Sequence, residues 1–226
     1  MKSNLFLQVI IAALCLLVPS VSMAGNLSDK EALDFAATKG KELLMSFQVP
    51  DLDKRYKELD AMFVEYIDID YVSKFVVGKY WRQMTPEQRE NYKNVFVRYG
   101  LSYYKTLPLD YAKNLTYEIK GAEQDGNFVN VAANVSVLLG KERQNITLIF
   151  RLHKPAGKIM AVDVKVAESS LLLSYRSKFY EMIARNDGEM DWFLEELTDL
   201  AVSMEQSLLE NVSNQQKSLE LDVKNR

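Results

Sequence analysis

The chain has 226 residues, and 48% of them are hydrophobic. This size suits one domain with a substantial core, or one domain plus a tail. Its 28 basic and 31 acidic residues give a formal net charge of −3 at pH 7. Because a mildly acidic chain is a poor nucleic-acid binder, we expect no nucleic-acid partner.

The first 24 residues have the pattern of a secretory signal. Lys2 supplies a positive charge, residues 5–18 form an apolar run, and Ser22-Met23-Ala24 offers the small residues that signal peptidase reads. The run is about 14 residues long, whereas a membrane span needs roughly 20; a retained anchor is the alternative. Cleavage after Ala24 would remove Cys15, the single cysteine, so the mature chain could form no disulfide.

Three helices are predicted from apolar residues at helical spacing in the first part of the chain. The first begins at Ser28-Asp29 and is broken by Pro50-Asp51. The second covers Leu52 to Phe63, and the third covers Ile69 to Tyr80.

A fourth helix has the clearest local start signal. In Thr85-Pro86-Glu87-Gln88, the first and last side chains can form a capping box, and the proline takes the first helical position. The helix is predicted to end before Pro108, and four aromatic residues share one stripe along it: Tyr92, Phe96, Tyr99 and Tyr103.

From Leu115 the apolar residues alternate with polar ones, which predicts β-strands. Four strands are expected, around Tyr117 and Ile119, over 129–137, over 146–152 and over Ile159 to Val166. The predicted turns are Asp125-Gly126-Asn127, Gly140-Lys141 and Pro155-Ala156-Gly157.

Two more helices are predicted, from Ser170 to about Ala184 and from Asp187 to about Leu209. The polar residues 210–226 are expected to be frayed helix or disordered. The resulting fold class is α+β, with a four-stranded antiparallel sheet covered on its apolar face by helices. Residues 25–209 are expected to form a single domain.

Residues suited to catalysis are scarce. His153 is the single histidine and follows a predicted strand beside a turn, so we expect it to be solvated. One histidine and no cysteine in the mature chain exclude the usual zinc clusters and Cys–His or Ser–His–Asp nucleophile systems. The adjacent Glu195 and Glu196 are expected to be exposed, and no glycine-rich phosphate loop occurs. We therefore expect neither an enzyme nor a bound cofactor or metal.

Two blocks of sequence carry a recognisable pattern. The positions of the first block are Asp70, Phe75, Gly78, Trp81, Thr85, Gln88, Phe96 and Tyr104. The positions of the second block are Asp163, Ser170, Leu171, Tyr175, Arg176 and Phe179. With these residues the two blocks resemble the MlaC-type family, also called the toluene-tolerance phospholipid-binding family. The chain departs from the family at Ala167-Glu168-Ser169, where relatives tend to have Glu-Gly-Val. Losing that glycine removes a residue that tolerates any backbone region.

The resemblance implies a periplasmic phospholipid carrier with acyl chains in a pocket between sheet and helices. It implies two partners, an outer-membrane lipoprotein–porin complex and an inner-membrane ABC transporter complex, in a system that maintains outer-membrane lipid asymmetry. A soluble carrier must bury the lipid tails, since each exposed methylene costs about 0.8 kcal/mol.

Candidate lining residues for this cavity follow from the inward strand positions and the aromatic stripes. They are Phe75, Val76, Phe96, Tyr99, Tyr103, Val131, Ala133, Val135, Ile146, Leu148, Phe150, Val164, Val166 and Leu171. For each residue, plain core packing is an equally good interpretation, because a filled core and a lined pocket have the same periodicity. An adaptor with a filled core and a lipid hydrolase are the alternative functions.

The junction between the last strand and the next helix contains few turn residues. Ser169 or Ser170 can cap that helix, and the short connection predicts that the helix lies close to the sheet edge. Arg176 is expected either to pair with an acid such as Asp163 or to lie near a phosphate, and the ion pair is the favoured interpretation.

Overall fold

A computed structural model describes residues 26–106, 115–139 and 142–224. The predicted signal segment and the predicted turn at Gly140-Lys141 lie outside the described residues. No helix in these ranges is both long and apolar enough to span a bilayer.

Six α-helices occur in the described ranges. They are α1 (Asp29–Phe47), α2 (Leu52–Tyr66), α3 (Ile69–Val77), α4 (Pro86–Thr106), α5 (Leu171–Arg185) and α6 (Met190–Lys224). The third ends earlier than predicted and continues as a 3-10 turn over Gly78–Arg82, because Gly78 adopts a φ of 50° that ends the α-helix.

The helix starts follow the local chemistry of the sequence. The capping box before α4 is confirmed: the Gln88 amide donates to Thr85 Oγ1 at 3.1 Å, and the Thr85 amide donates to Gln88 Oε1 at 2.9 Å. Ser28 and Glu31 form a second capping box at the start of α1. These contacts satisfy amide groups that the first turn of a helix leaves unpaired.

Glu31 also binds Lys154 across the fold, and this contact predicts a pH dependence. Lys154 Nζ lies 2.5 Å from Glu31 Oε1, and this contact, together with Ser28, lowers the pKa of Glu31 to about 2 from 4.5. Because the pKa is lower in the folded state, the stabilisation is complete above pH 4.5 and is lost as the pH falls towards 2.

We expect Glu31→Gln, which can retain the capping box, to lower the free energy of unfolding at pH 7 and to leave it unchanged near pH 2. Urea unfolding of both proteins at the two pH values measures this. If the two proteins differed in free energy of unfolding by the same amount at both pH values, the stabilisation could not come from the lowered pKa of Glu31.

The sheet is an antiparallel meander in which each strand pairs with the next along the chain. The strands are β1 (Thr116–Asp125), β2 (Phe128–Leu139), β3 (Glu142–His153), β4 (Met160–Val166) and β5 (Ser169–Ser170). The α+β prediction is confirmed, with a short fifth strand added to the predicted four. It arises because Lys165 and Val166 pair with Ser170 and Ser169 across a two-residue turn. In this turn Ala167 has a φ of 54°, a conformation that favours glycine.

Three apolar clusters occur in the described residues, and the two larger ones show how the layers pack. In the sheet cluster, Val129 and Val131 of β2 are fully buried and pack near Ala32 of α1. The helical cluster joins α3, α4, α5 and α6, and fully buried Phe179 lies within it. The prediction that helices cover the apolar face of the sheet therefore agrees with the observed layers.

The last helix is longer than predicted. The sequence predicts its end near Leu209, but residues 210–224 continue α6. Gln215 accepts a hydrogen bond from the Leu52 amide at 2.9 Å and donates to the Pro50 carbonyl at 3.1 Å. Arg98 of α4 makes two hydrogen bonds to Glu205 of α6, at 3.0 and 2.7 Å. These contacts are between residues far apart in sequence, so local composition does not report them.

Arg176 joins the two blocks of sequence that resemble the MlaC-type family, although not by the predicted ion pair. Its guanidinium donates to the Phe75 carbonyl at 2.6 Å and to the Tyr180 hydroxyl at 2.9 Å. The predicted partner Asp163 instead accepts hydrogen bonds from Ser170 and the Leu172 amide. Asp163 is held there because its carboxylate satisfies the first turn of α5.

Gly78 lies under Arg176, which predicts a large effect of Gly78→Ala. An added Cβ would lie 2.5 Å from the Tyr180 hydroxyl and 2.6 Å from Arg176 Nη2, and the positive φ adds roughly 1–2 kcal/mol of strain. We expect a loss of about 2–3 kcal/mol in the free energy of unfolding. Denaturant titration measures it, with Gly126→Ala as the control, because that glycine has a φ of 62° and open space around it. Equal losses in the two variants would contradict the role of the Arg176 contact.

Candidate functional site

A cavity of about 300 Å³ lies between the sheet and the helices. Its walls come from helices α1 to α5 and from strands β1, β3 and β4. This volume is at the lower end of the range of about 300–1,000 Å³ for small-molecule sites. The filled-core alternative predicts no internal pocket and therefore does not fit this geometry.

Most side chains on the cavity wall are aliphatic or aromatic. Helices α1 and α2 contribute Phe35, Ala36, Lys39, Gly40, Leu43, Leu59, Met62, Phe63 and Tyr66. Helices α4 and α5 contribute Phe96, Tyr99, Gly100, Tyr103, Tyr104, Leu171, Leu172 and Tyr175. The sheet contributes Tyr117, Phe150, Leu152, Ala161, Val162, Asp163 and Val164. Ile67, which follows α2, and Val72 of α3 complete the lining.

Six of the fourteen residues proposed from the sequence lie on this wall. They are Phe96, Tyr99, Tyr103, Phe150, Val164 and Leu171. Contact of any of them with a lipid stays a prediction.

The other eight lie elsewhere in the fold. Val76, Val131 and Ala133 are fully buried in the core, and Val135 is 8% exposed. Phe75 packs against the helical cluster. Ile146 and Leu148 are half-buried, and Val166 is 38% exposed near the end of β4. Helix α1 packs against β2, with Ala32 and Ala36 in one cluster with Val129 and Val131, so these inward positions of β2 belong to the core.

The contribution of α1 and α2 to the wall was not predicted. The sequence places Gly40, Leu59 and Phe63 on apolar helix faces, but the pattern does not show which partner those faces meet. Gly40 is required because Tyr117 of β1 crosses α1 there: a Cβ at Gly40 would lie 2.5 Å from the Tyr117 ring. The Tyr117 hydroxyl donates to the Ala36 carbonyl at 3.0 Å.

Lys39 and Asp163 are the charged residues of the described lining, and both have partners. Lys39 Nζ lies 2.9 Å from Glu42 and 4.5 Å from the centre of the Tyr66 ring. Tyr66 and then Glu42 raise the pKa of Lys39, so its ammonium group is charged at neutral pH. Asp163 is 9% exposed and is bound to the start of α5. Both side chains are therefore occupied, Lys39 by an ion pair and Asp163 by hydrogen bonds from Ser170 and the Leu172 amide.

Three tyrosines on the wall, Tyr104, Tyr117 and Tyr175, are neutral at ordinary pH because burial raises the pKa of each. Burial raises the pKa of Tyr117 to about 12 and raises the pKa of Tyr104. Burial, followed by the nearby Tyr99 and Tyr103, raises the pKa of Tyr175. The wall therefore combines apolar surface with neutral hydroxyls.

The cavity reaches the surface between the end of α4 and the start of α5. Tyr103 and Leu171 both line it and are 39% and 42% exposed. Ser170 begins α5 here, as predicted, by accepting a hydrogen bond from the Leu173 amide at 3.0 Å. We call this opening, defined by Tyr103 and Leu171, the mouth.

His153 is not a solvated turn residue, so that prediction is wrong. Its side chain is 15% exposed, and its ring stacks on Phe128 at 5.6 Å and meets the edge of Tyr71 at 5.6 Å. Its Nε2 lies 2.9 Å from Asp68 Oδ2, within ion-pair distance but without hydrogen-bond direction. The residue is absent from the cavity lining, and the described residues contain no cluster able to hold a metal ion.

Fold and cavity together define an α+β protein with an internal apolar binding site. The chain belongs to the MlaC family, because the family model described as MlaC protein matches residues 45–199. A similar solved structure is that of the phospholipid-binding protein from Ralstonia solanacearum in complex with a phospholipid. It has a TM-score of 0.63 and 19% sequence identity, and the match covers 78% of this chain and 99% of that chain. At this identity the likeness establishes the fold.

Proposed function

We propose that this protein binds a phospholipid, with its acyl chains in the cavity and its headgroup at the mouth. The observation that carries the proposal is the apolar cavity between sheet and helices, in which the two charged residues already have polar partners within the protein. Burial of acyl methylenes, at about 0.8 kcal/mol each, supplies the affinity.

The family and the structural neighbour support this ligand. The chain belongs to the MlaC family, and the Ralstonia solanacearum protein of the same fold was solved with a phospholipid. The scarcity of catalytic groups on the wall suits a binding and transport role rather than an enzyme.

The finer proposal is a periplasmic carrier. It would shuttle phospholipid between an outer-membrane lipoprotein–porin complex and an inner-membrane ABC transporter complex, and so maintain the lipid asymmetry of the outer membrane. The predicted signal sequence supports export, and the family resemblance supports both partners. Release then requires a partner that favours an open conformation of the cavity.

Lipid extraction tests the proposed ligand. The protein is expressed with its own signal sequence, purified from the periplasm and extracted with organic solvent, and the extract is analysed by mass spectrometry. We expect phospholipid at a molar amount comparable to the protein.

Protein that is free of lipid and also fails to bind added phospholipid would contradict the proposal. Incubation of the pure protein with phospholipid tests the hydrolase alternative. We expect intact lipid, whereas lysophospholipid or free fatty acid would favour an enzyme.

A further inference from the structure

A group of donors lies at the mouth, where α4 packs against α5. Lys178 Nζ donates to the Tyr99 hydroxyl oxygen at 2.5 Å. The Tyr175 ring meets Tyr99 with centroids 6.1 Å apart and meets Tyr103 with centroids 5.7 Å apart. Tyr99 and Tyr175 line the cavity, while Tyr103 and Lys178 are exposed. The group therefore connects the cavity wall to solvent.

Lys178 differs from the other lysine near the cavity. Lys39 is bound to the carboxylate of Glu42 at 2.9 Å. Over the part of the chain that the structure describes, no carboxylate forms an ion pair with Lys178, and its hydrogen-bond partner is the Tyr99 hydroxyl. Its positive charge is thus available to an anion at the mouth.

The two cavity-lining tyrosines add hydroxyl groups that can donate. An ammonium group only donates, so Tyr99 accepts from Lys178 and directs its own proton elsewhere. Burial raises the pKa of Tyr175, and Tyr99 and Tyr103 add to the effect, so its hydroxyl remains protonated at neutral pH. One cation with protonated hydroxyls matches an anion that has several acceptor oxygens, as a phosphate does.

We propose that Lys178, Tyr99 and Tyr175 bind the phosphate group of a lipid headgroup whose acyl chains occupy the cavity. This inference rests on the proposed function and adds the chemical feature of the lipid that the protein recognises. Free phosphate has the same chemistry, but the position of the donors at the mouth of an apolar cavity favours a phosphate that is joined to acyl chains.

Two lipids that have the same acyl chains, one with a phosphate headgroup and one without, distinguish the contribution of the headgroup contact to affinity from that of acyl-chain burial. Binding of phosphatidylglycerol and of the matching diacylglycerol is measured on delipidated wild-type protein and on Lys178→Met. We expect the variant to bind phosphatidylglycerol about tenfold more weakly, since one charge-assisted hydrogen bond contributes on that order. Diacylglycerol affinity should change by less than about twofold, because the variant leaves the cavity wall unchanged.

Two further variants serve as comparisons. Tyr175→Phe keeps the ring and removes one hydroxyl, so it should weaken phosphatidylglycerol binding by roughly threefold more than it weakens diacylglycerol binding. Lys30→Met removes a positive charge from an exposed lysine that pairs with Asp34, and it should alter neither affinity.

Each other outcome counts against the inference. Equal weakening for both lipids would mean that Lys178 acts on the shape of the cavity, and unchanged phosphatidylglycerol binding would remove its role altogether. Inorganic phosphate that binds wild-type protein as tightly as the lipid, and is lost in Lys178→Met, would indicate a site for free phosphate. Wild-type protein that binds neither lipid would overturn the proposed function itself, whereas a failure confined to the variants overturns the headgroup contact alone.

Discussion

Met62→Trp is expected to lower the amount of bound phospholipid at least tenfold while the protein remains folded. Met62 lies on α2 and lines the cavity, and an indole in its place would occupy space that we assign to acyl chains. Excluding only two methylenes costs about 1.6 kcal/mol at 0.8 kcal/mol each, which is more than a tenfold loss of affinity. Mass spectrometry of extracted lipid, normalised to protein, measures the loss.

Val64→Trp is the matched control, because Val64 is on the same helix and is 56% exposed. Two residues apart, the side chains of Met62 and Val64 point about 200° apart around the helix axis. The control should retain the wild-type amount of lipid and a similar melting temperature. If Met62→Trp also retained all its lipid, the acyl chains would have to lie outside this cavity.

Phe179→Ala is expected to lower the free energy of unfolding by about 3–5 kcal/mol, as truncation of a fully buried phenylalanine generally does. Phe179 is 0% exposed and lies at the centre of the helical cluster. Five aromatic rings surround it, with centroids within 6.5 Å: Tyr92, Phe96, Tyr99, Tyr175 and Phe193. Such a loss is a large part of the roughly 5–15 kcal/mol that stabilises a typical domain.

Urea unfolding measures this effect, and Trp192→Ala provides the comparison. Trp192 is a larger aromatic residue of the neighbouring α6, but it is 56% exposed, so its truncation should change the free energy by no more than about 0.5 kcal/mol. Similar losses in both variants would contradict the assignment of Phe179 to the centre of the core.

Local signals in the sequence predict much of the fold. Thr85 and Gln88 form the predicted capping box because both partners lie within one helical turn. The period-two segments become β-strands, and Asp125-Gly126-Asn127 forms a turn with a φ of 62° at the glycine. In each case the residues that determine the structure are neighbours in sequence.

The cavity could be predicted only as one of two alternatives. Val76 and Phe96 both lie on apolar helix faces, yet the first is fully buried in the core and the second lines the cavity. Periodicity reports that a side chain faces inward, whereas the space in front of it depends on how distant elements pack. The close approach of Tyr117 to Gly40 is such a contact, since it joins β1 to α1.

The incorrect predictions have the same cause. His153 ends β3 beside a turn, and it is half-buried because the rings of Tyr71 and Phe128 from other elements pack against it. The sequence predicts that the last helix ends near Leu209, but it continues through residues 210–224, where Gln215 binds the α1–α2 connection. Arg176 binds the Phe75 carbonyl rather than Asp163, because the C-terminal end of α3 packs beside α5 although the two residues are 101 positions apart in sequence.

Photo-crosslinking tests the central claim, that the acyl chains lie in this cavity, most directly. Purified protein is loaded with a phospholipid that carries a photoreactive group near the end of one acyl chain, irradiated and digested, and the modified residues are identified by mass spectrometry. We predict adducts on cavity-lining residues such as Met62, Phe63 and Tyr104, with none on exposed Val64 or Trp192. Adducts confined to exposed residues, in protein that carries a full load of lipid, would contradict the account.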